Sequence, residues 1–111
     1  MKRAEYALGL DYGTNSVRAL VVDVRNGREV GTAIHGYETG EAGIVLDPAD
    51  PNLARQNPAD YVKGIEASIK RAMAAAHKKD KRFDPKDIIG IGIDTTGSTP
   101  LPVDRGGRPS P

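Results

Sequence analysis

Short runs of aliphatic and β-branched residues dominate the first third of the chain. Tyr6–Leu10 and Val17–Val24 are two such runs, and Gly13-Thr14-Asn15-Ser16 between them is turn chemistry. The pair is therefore expected to form a β-hairpin. Asn26-Gly27, inside Arg25-Asn26-Gly27-Arg28, is the strongest short hairpin signal, so a third antiparallel strand is expected over roughly Glu29 to Tyr37. From Glu38 to Gln56 the composition turns to Gly, Asp, Pro and Asn, with a few aliphatics at Gly43 to Leu46. This predicts a long loop holding at most a short strand, and loops of that length are often functional.

Asn57-Pro58-Ala59-Asp60 then announces a helix, with Asn57 as N-cap, Pro58 in the first helical position and an acid in the first turn. Tyr61, Val62, Ile65, Ile69, Ala72, Met73 and Ala76 recur at spacings of three and four, marking an expected buried face. Gly64 should weaken this helix by about 1 kcal/mol relative to alanine. The basic run from His77 to Arg82 sits where the helix dipole favours positive charge. Asp84-Pro85-Lys86-Asp87 turns the chain into Ile88–Asp94, a strand with Ile89, Ile91 and Ile93 on one face and Gly90 and Gly92 on the other. Leu101–Asp104 is expected to begin a further strand before the turn signal Arg105-Gly106-Gly107-Arg108.

The second strand reads as apolar on both faces, with Leu20, Val22 and Val24 on one side and Ala19 and Val21 on the other. One helix cannot cover both faces of a sheet, and the chain stops in a turn, Gly106–Pro111. The expectation is a truncated unit that self-associates through exposed sheet or its long loop.

Composition narrows the function classes. A chain of 111 residues makes one small domain at most. Its 16 basic and 15 acidic side chains leave a net charge of +1, which argues for neither nucleic acid nor an anionic membrane as partner. Zero cysteines exclude a disulfide framework, and two dispersed histidines, His35 and His77, make no metal cluster. The charged start is not followed by an apolar signal-like segment and no run is long enough to span a bilayer, so a soluble cytoplasmic protein is expected.

Candidate chemistry gathers at the first hairpin. Backbone N–H groups of the turn, with the Thr14 and Ser16 hydroxyls, are suited to surround phosphate oxygens. Asp11 lies where an acid would hold hydrated Mg²⁺, and Arg18 adds a fixed cation suited to paired phosphate contacts. The same residues also suit a purely structural turn, with Asp11 and Asn15 shaping it and Thr14 and Ser16 capping backbone. Residue types alone leave both readings open, and the Gly-Lys-Ser/Thr of a Walker loop is missing.

Asp11-Tyr12-Gly13-Thr14-Asn15-Ser16-Val17-Arg18-Ala19-Leu20-Val21-Val22-Asp23 resembles the first phosphate-binding motif of the FGGY family of sugar kinases, in the actin/hexokinase/Hsp70 superfamily. Gly90-Ile91-Gly92-Ile93-Asp94-Thr95-Thr96-Gly97-Ser98-Thr99-Pro100 resembles the matching stretch of the ribulokinase branch. The resemblance covers nearly the whole chain. It implies an α/β fold, the opening half of a ribonuclease-H-like, actin-like ATPase domain with a mixed sheet in the order strand, strand, strand, helix, strand, partial strand. Residues 1–111 would form the N-terminal part of the first, sugar-binding lobe. The remainder of that lobe and the whole second lobe would be absent.

The reaction so implied moves the ATP γ-phosphoryl group to a sugar hydroxyl. By position, Asp11 would face hydrated Mg²⁺, Gly13 would permit close approach, Thr14, Asn15 and Ser16 would surround the β- and γ-phosphates, and Arg18 would hold phosphate charge. Thr96, Gly97 and Ser98 would border the sugar. Gly97 and Ser98 stand where glycerol kinases place an Arg-Glu pair and xylulokinases a Met-His pair, and small residues there suit a ketopentose such as ribulose. The family's catalytic aspartate belongs to a later Gly-Asp motif beyond Pro111, so the chain alone is expected not to turn over. The implied partners are ATP and a small sugar, with no nucleic acid or membrane. The alternatives are another FGGY kinase, for xylulose or another ketose or polyol, and a non-catalytic, actin-like self-associating module.

Overall fold

A computed structural model of the chain describes residues 4–110. The charged start Met1-Lys2-Arg3 and the terminal Pro111 lie outside the described residues. Strand β1 (Tyr6–Tyr12) turns at Gly13 into β2 (Ser16–Asp23), and β3 (Arg28–Gly36) follows the Asn26-Gly27 turn, where Gly27 adopts φ 73°. The short strands β4 (Ile44–Asp47) and β5 (Asp50–Gln56) precede helix α1 (Pro58–Lys79). A single 3₁₀ turn, Pro85–Asp87, then leads into β6 (Ile88–Thr95). The main sheet has the order β3-β2-β1-β6, antiparallel except for the parallel β1/β6 pair, so it is mixed as expected.

Alternation along β1 and β2 sends Tyr6, Leu8, Leu10, Tyr12, Val17, Ala19 and Val21 to one face, and all are buried. Helix α1 packs there. Tyr6 anchors the far end, meeting Phe83 edge-on at 5.0 Å between ring centroids and donating its hydroxyl to Asp80 at 3.0 Å. The opposite face carries Ala7, Gly9, Asp11, Arg18, Leu20 and Val22 and has no covering layer among the described residues. The single helix thus leaves one face open, as the two-sided apolar pattern of β2 required.

The buried face of α1 is the expected one at Ala72 and Ala76, but its centre is shifted toward smaller residues. Asp60, Gly64, Ser68, Ala72 and Ala76 are its buried residues, with Ile65, Ile69 and Met73 flanking them half-buried, and Val62 is exposed. The reason is the closeness of helix and sheet. A Cβ on Gly31 of β3 would lie 2.3 Å from the Ala72 carbonyl oxygen, and one on Gly64 would lie 2.7 Å from Val17 Cγ1. Only small residues fit such an approach, so Gly64 gives up helix propensity for packing. The N-cap is as expected, with the Asn57 side chain accepting from the Ala59 N–H at 3.0 Å.

Two expectations are corrected. In segment 38–56 the short strand falls on the aliphatics at Gly43 to Leu46, as β4, but the rest is not loop: β4 and β5 pair as an antiparallel hairpin, Ile44 opposite Gln56 and Leu46 opposite Ala54. Most of its side chains are exposed, so no burial pattern imprints it on the sequence, and Asp50, Pro51 and Asn52 are poor strand formers. Leu101–Asp104 forms no strand. Only an isolated bridge joins Val103 to Pro109, around a turn in which Asp104 N–H donates to the Arg108 carbonyl at 2.9 Å. Val103 is exposed and has no sheet neighbour to order it.

In β6, Ile91 and Ile93 pair with Leu8 and Leu10 and so share their face, but α1 lies over β2 and β3 and does not reach them. Both are about three-fifths exposed. Ile89 falls at the register shift between the Tyr6/Ile88 and Ala7/Gly90 pairs.

Candidate functional site

The C-terminal ends of the parallel strands β1 and β6 lie side by side, Tyr12 opposite Thr95. The Gly13–Ser16 turn and the Thr96–Ser98 segment leave the sheet from this shared end. The Gly13 N–H donates to the Ser16 carbonyl at 2.8 Å and closes the first turn. A Cβ on Gly13 would stand 3.3 Å from that same oxygen, so a larger residue would push the turn open.

Hydrogen bonding at this turn is one-sided. The Gly13 carbonyl accepts from Tyr37 Oη at 2.9 Å, the Thr14 carbonyl from Gln56 Nε2 at 2.7 Å, the Asn15 carbonyl from the Tyr37 N–H at 2.9 Å and the Ser16 carbonyl from Gly13. The Thr14 and Asn15 N–H groups find no acceptor among the described residues, and neither do the Thr14 and Ser16 hydroxyls. Acceptors are consumed and donors are offered, the polarity an anion requires. The Asn15 side chain is engaged elsewhere, donating Nδ2 to the Ala42 carbonyl at 2.9 Å. Ala42 itself sits in the left-handed region at φ 50°, inside a turn packed against Tyr37.

The support beneath is aromatic. Tyr61 of α1 stacks on Tyr12 with centroids 4.9 Å apart and on Tyr37 at 5.2 Å. Tyr12 Oη donates to the Tyr61 carbonyl at 3.1 Å, and Tyr61 Oη donates to Gln56 Oε1 at 3.1 Å. Burial pushes the Tyr12 and Tyr37 phenols above their ordinary range, with the neighbouring Tyr61 adding to it, so both remain protonated donors at neutral pH.

Charge lies on the open face at the same end. Register sets Arg18 of β2 directly across from Asp11, and Asp94 of β6 directly across on the other side. All three are exposed, and none has an ion pair or side-chain hydrogen bond among the described residues. Of the second segment, Thr96 is half-buried while Gly97 and Ser98 are exposed. A Cβ on Gly97 would meet nothing within 4 Å, so no packing in this segment demands glycine there. No cluster of three or more metal-ligating side chains occurs among the described residues. An exposed carboxylate suits Mg²⁺ nonetheless, because that ion is held by one or two carboxylates with waters and substrate phosphates.

The structure therefore brings Asp11, Gly13, Thr14, Asn15, Ser16 and Arg18 to one end of the sheet, Asn15 through its backbone since its side chain is turned to Ala42, with Thr96, Gly97 and Ser98 adjoining. Sequence reasoning missed Gln56, Tyr37 and Tyr61. Three of the chain's five aromatic residues converge beside one turn, a concentration that only the fold reveals.

An open sheet end with free N–H donors, free hydroxyls, an arginine and unpaired carboxylates has the composition of a phosphate-handling site. The chain belongs to the FGGY family of carbohydrate kinases: the pattern of that family's N-terminal domain matches residues 6–110. It is 35% identical over 103 residues to a ribulokinase of Vibrio parahaemolyticus, covering 93% of this chain and 17% of that protein. To a ribulokinase of Bacillus licheniformis it is 43% identical over 98 residues, covering 85% of this chain and 17% of the relative. A crystal structure of a xyloylose kinase from Brucella ovis superposes with a TM-score of 0.74 at 28% identity, over 95% of this chain and 19% of that one. The chain thus spans less than a fifth of the length of the relatives it matches. The fold is the mixed α/β arrangement of these kinases and of actin-like ATPases. Among the described residues, no helix is long and apolar enough to cross a membrane.

Proposed function

We propose that this chain forms the opening part of the sugar-binding lobe of an ATP-dependent kinase acting on a ketopentose, with ribulose as the preferred sugar. The observation that carries the phosphate half of this reading is the Gly13–Ser16 turn, whose carbonyls are all taken while the Thr14 and Asn15 N–H groups stay free. These donors and the Thr14 and Ser16 hydroxyls receive the β- and γ-phosphate oxygens, and Arg18 balances their charge. Asp11 would hold hydrated Mg²⁺, and that ion would supply positive charge against the phosphates.

The sugar half rests on the ribulokinase names of the relatives and on the small, exposed Gly97 and Ser98, which leave room for a polyhydroxylated chain. Thr96 shapes the start of that segment. The general base comes from sequence beyond residue 111, so the segment alone does not turn over. On this reading the protein works in the cytoplasm, as fits the charged start and the lack of an apolar run in this sequence. Separated from the rest of the lobe, the segment self-associates through the exposed Ile89, Ile91 and Ile93; a compact monomer in sedimentation would rule this out.

The test is a coupled assay of ADP release on the complete polypeptide carrying this segment, with L-ribulose, D-ribulose and D-xylulose. Sugar-dependent ADP release, highest with a ribulose, is expected. A folded, full-length protein with no sugar-dependent release from any of them ends the kinase reading. Preference for D-xylulose moves the substrate toward that suggested by the Brucella ovis neighbour.

A further inference from the structure

Two side chains, far apart in sequence, hold the two carbonyls that matter most at the phosphate turn. In a trans peptide the C=O and N–H point in opposite directions, and the described chain has no cis bonds. The Gly13 carbonyl and the Thr14 N–H belong to one peptide, and the Thr14 carbonyl and the Asn15 N–H to the next. Tyr37 Oη holds the first carbonyl and Gln56 Nε2 the second. The N–H groups they turn outward are the two that have no acceptor.

Gln56 is well placed for this. It is the last residue of β5 and immediately precedes the Asn57 N-cap of α1, so the helix start fixes its backbone. Its amide orientation is forced: the Thr14 carbonyl can only accept, so Nε2 must face it and Oε1 must face the Tyr61 hydroxyl, which donates. Tyr61 is in turn wedged between the rings of Tyr12 and Tyr37.

We propose that Gln56 is a positioning residue that aims the Asn15 N–H at the nucleotide phosphates, with Tyr61 locking the Gln56 amide. The exposed β4–β5 hairpin therefore serves to deliver Gln56. This inference rests on the kinase reading for what binds, while the aiming itself stands on the hydrogen bonds.

The test uses the complete polypeptide. Gln56→Met removes the donor and keeps the bulk; KM for MgATP is expected to rise roughly tenfold, about 1.4 kcal/mol, with KM for the sugar unchanged. Gln56→Glu gives a pH signature. The ionised carboxylate cannot donate to the Thr14 carbonyl and repels phosphate, whereas the protonated acid donates again. Its deficit against the wild type should therefore shrink as pH falls toward the carboxyl range, while that of Gln56→Met stays constant. Tyr61→Phe should give a smaller rise, since only the orientation of the amide is loosened.

A second measurement does not need turnover: backbone amide NMR shifts of Thr14 and Asn15 titrated with MgADP. The Asn15 amide should respond in the wild type and respond weakly in Gln56→Met. An MgATP KM within twofold of wild type in Gln56→Met, or equal losses for nucleotide and sugar with lowered thermal stability, overturns the positioning role. A wild type that shows these amide responses but no sugar-dependent ADP release refutes the kinase reading alone. Absence of any MgADP response in the folded wild type overturns both.

Discussion

Gly31 and Gly97 show how differently the same residue type is constrained at two positions. A Cβ at Gly31 would meet backbone atoms of α1 at 2.3 and 2.6 Å, which cannot yield without moving the helix, whereas a Cβ at Gly97 meets open space. Gly31→Ala is therefore expected to lose about 1–3 kcal/mol or more, read as a lower denaturant midpoint. Gly97→Ala should leave stability within about 0.5 kcal/mol; if it weakens sugar use in the complete polypeptide, the cost belongs to the ligand. At Ser98, Glu in place of serine should weaken ketopentose use by narrowing the sugar side, and unchanged kinetics would remove this residue from the site. The polar turn residues were legible in the sequence because Gly, Thr and Ser declare their chemistry locally. Gln56 was not, because its partner Thr14 lies 42 positions away and nothing local marks the contact.

Among the elements, α1 was legible from its cap and periodicity, and only its rotation was misread. The large residues Tyr61, Ile65, Ile69 and Met73 carry the hydrophobic pattern, yet the closest contact runs along the small residues between them. Hydrophobicity alone cannot distinguish the centre of a packed face from its flanks when backbones approach this closely. The helix start couples to the β3 exit as well, since Thr39 Oγ1 donates to Asp60 and accepts from Asn57 Nδ2. Asn57→Ala should cost about 1 kcal/mol, measured by chemical denaturation. Asn57→Asp should recover only part of it, because the carboxylate keeps the acceptor for the Ala59 N–H but cannot donate to Thr39 Oγ1. Strand β5 and its pairing with β4 were not legible because the hairpin is held by that pairing and by attachments at Asn15 and Gln56, not by a buried face.

Viewed whole, the segment is an open half-sandwich. Its radius of gyration of 16.8 Å exceeds the roughly 13 Å of a compact domain of this length. That α1 leaves one sheet face uncovered among the described residues was legible in β2, because a two-faced apolar strand offers apolar side chains to both sides while the sequence announces one helix. Ile91 and Ile93 share the expected face while Ile89 falls at the register shift, and the reach of α1 across the sheet is a three-dimensional fact that no periodicity contains. Global stability should also depend on acid. Two hydrogen bonds from the Arg25 guanidinium, and one from its backbone, hold the Asp23 carboxyl down to about 2. Its contribution is complete above the ordinary carboxylate value of 3.8 and disappears as pH falls toward about 2. Arg25→Ala should flatten this part of the acid unfolding curve; an unchanged curve would assign the acid sensitivity to other groups.

The free amides of the Gly13–Ser16 turn also bear on exchange with solvent. An N–H bonded within the sheet gives up its hydrogen only when the structure opens, but those of Thr14 and Asn15 have no internal acceptor to break. They should therefore exchange with deuterium much faster than neighbouring Val17 or Leu20 in an otherwise protected hairpin. A bound phosphate would slow these two positions while leaving the strands unchanged, making the turn a built-in reporter of its own occupancy.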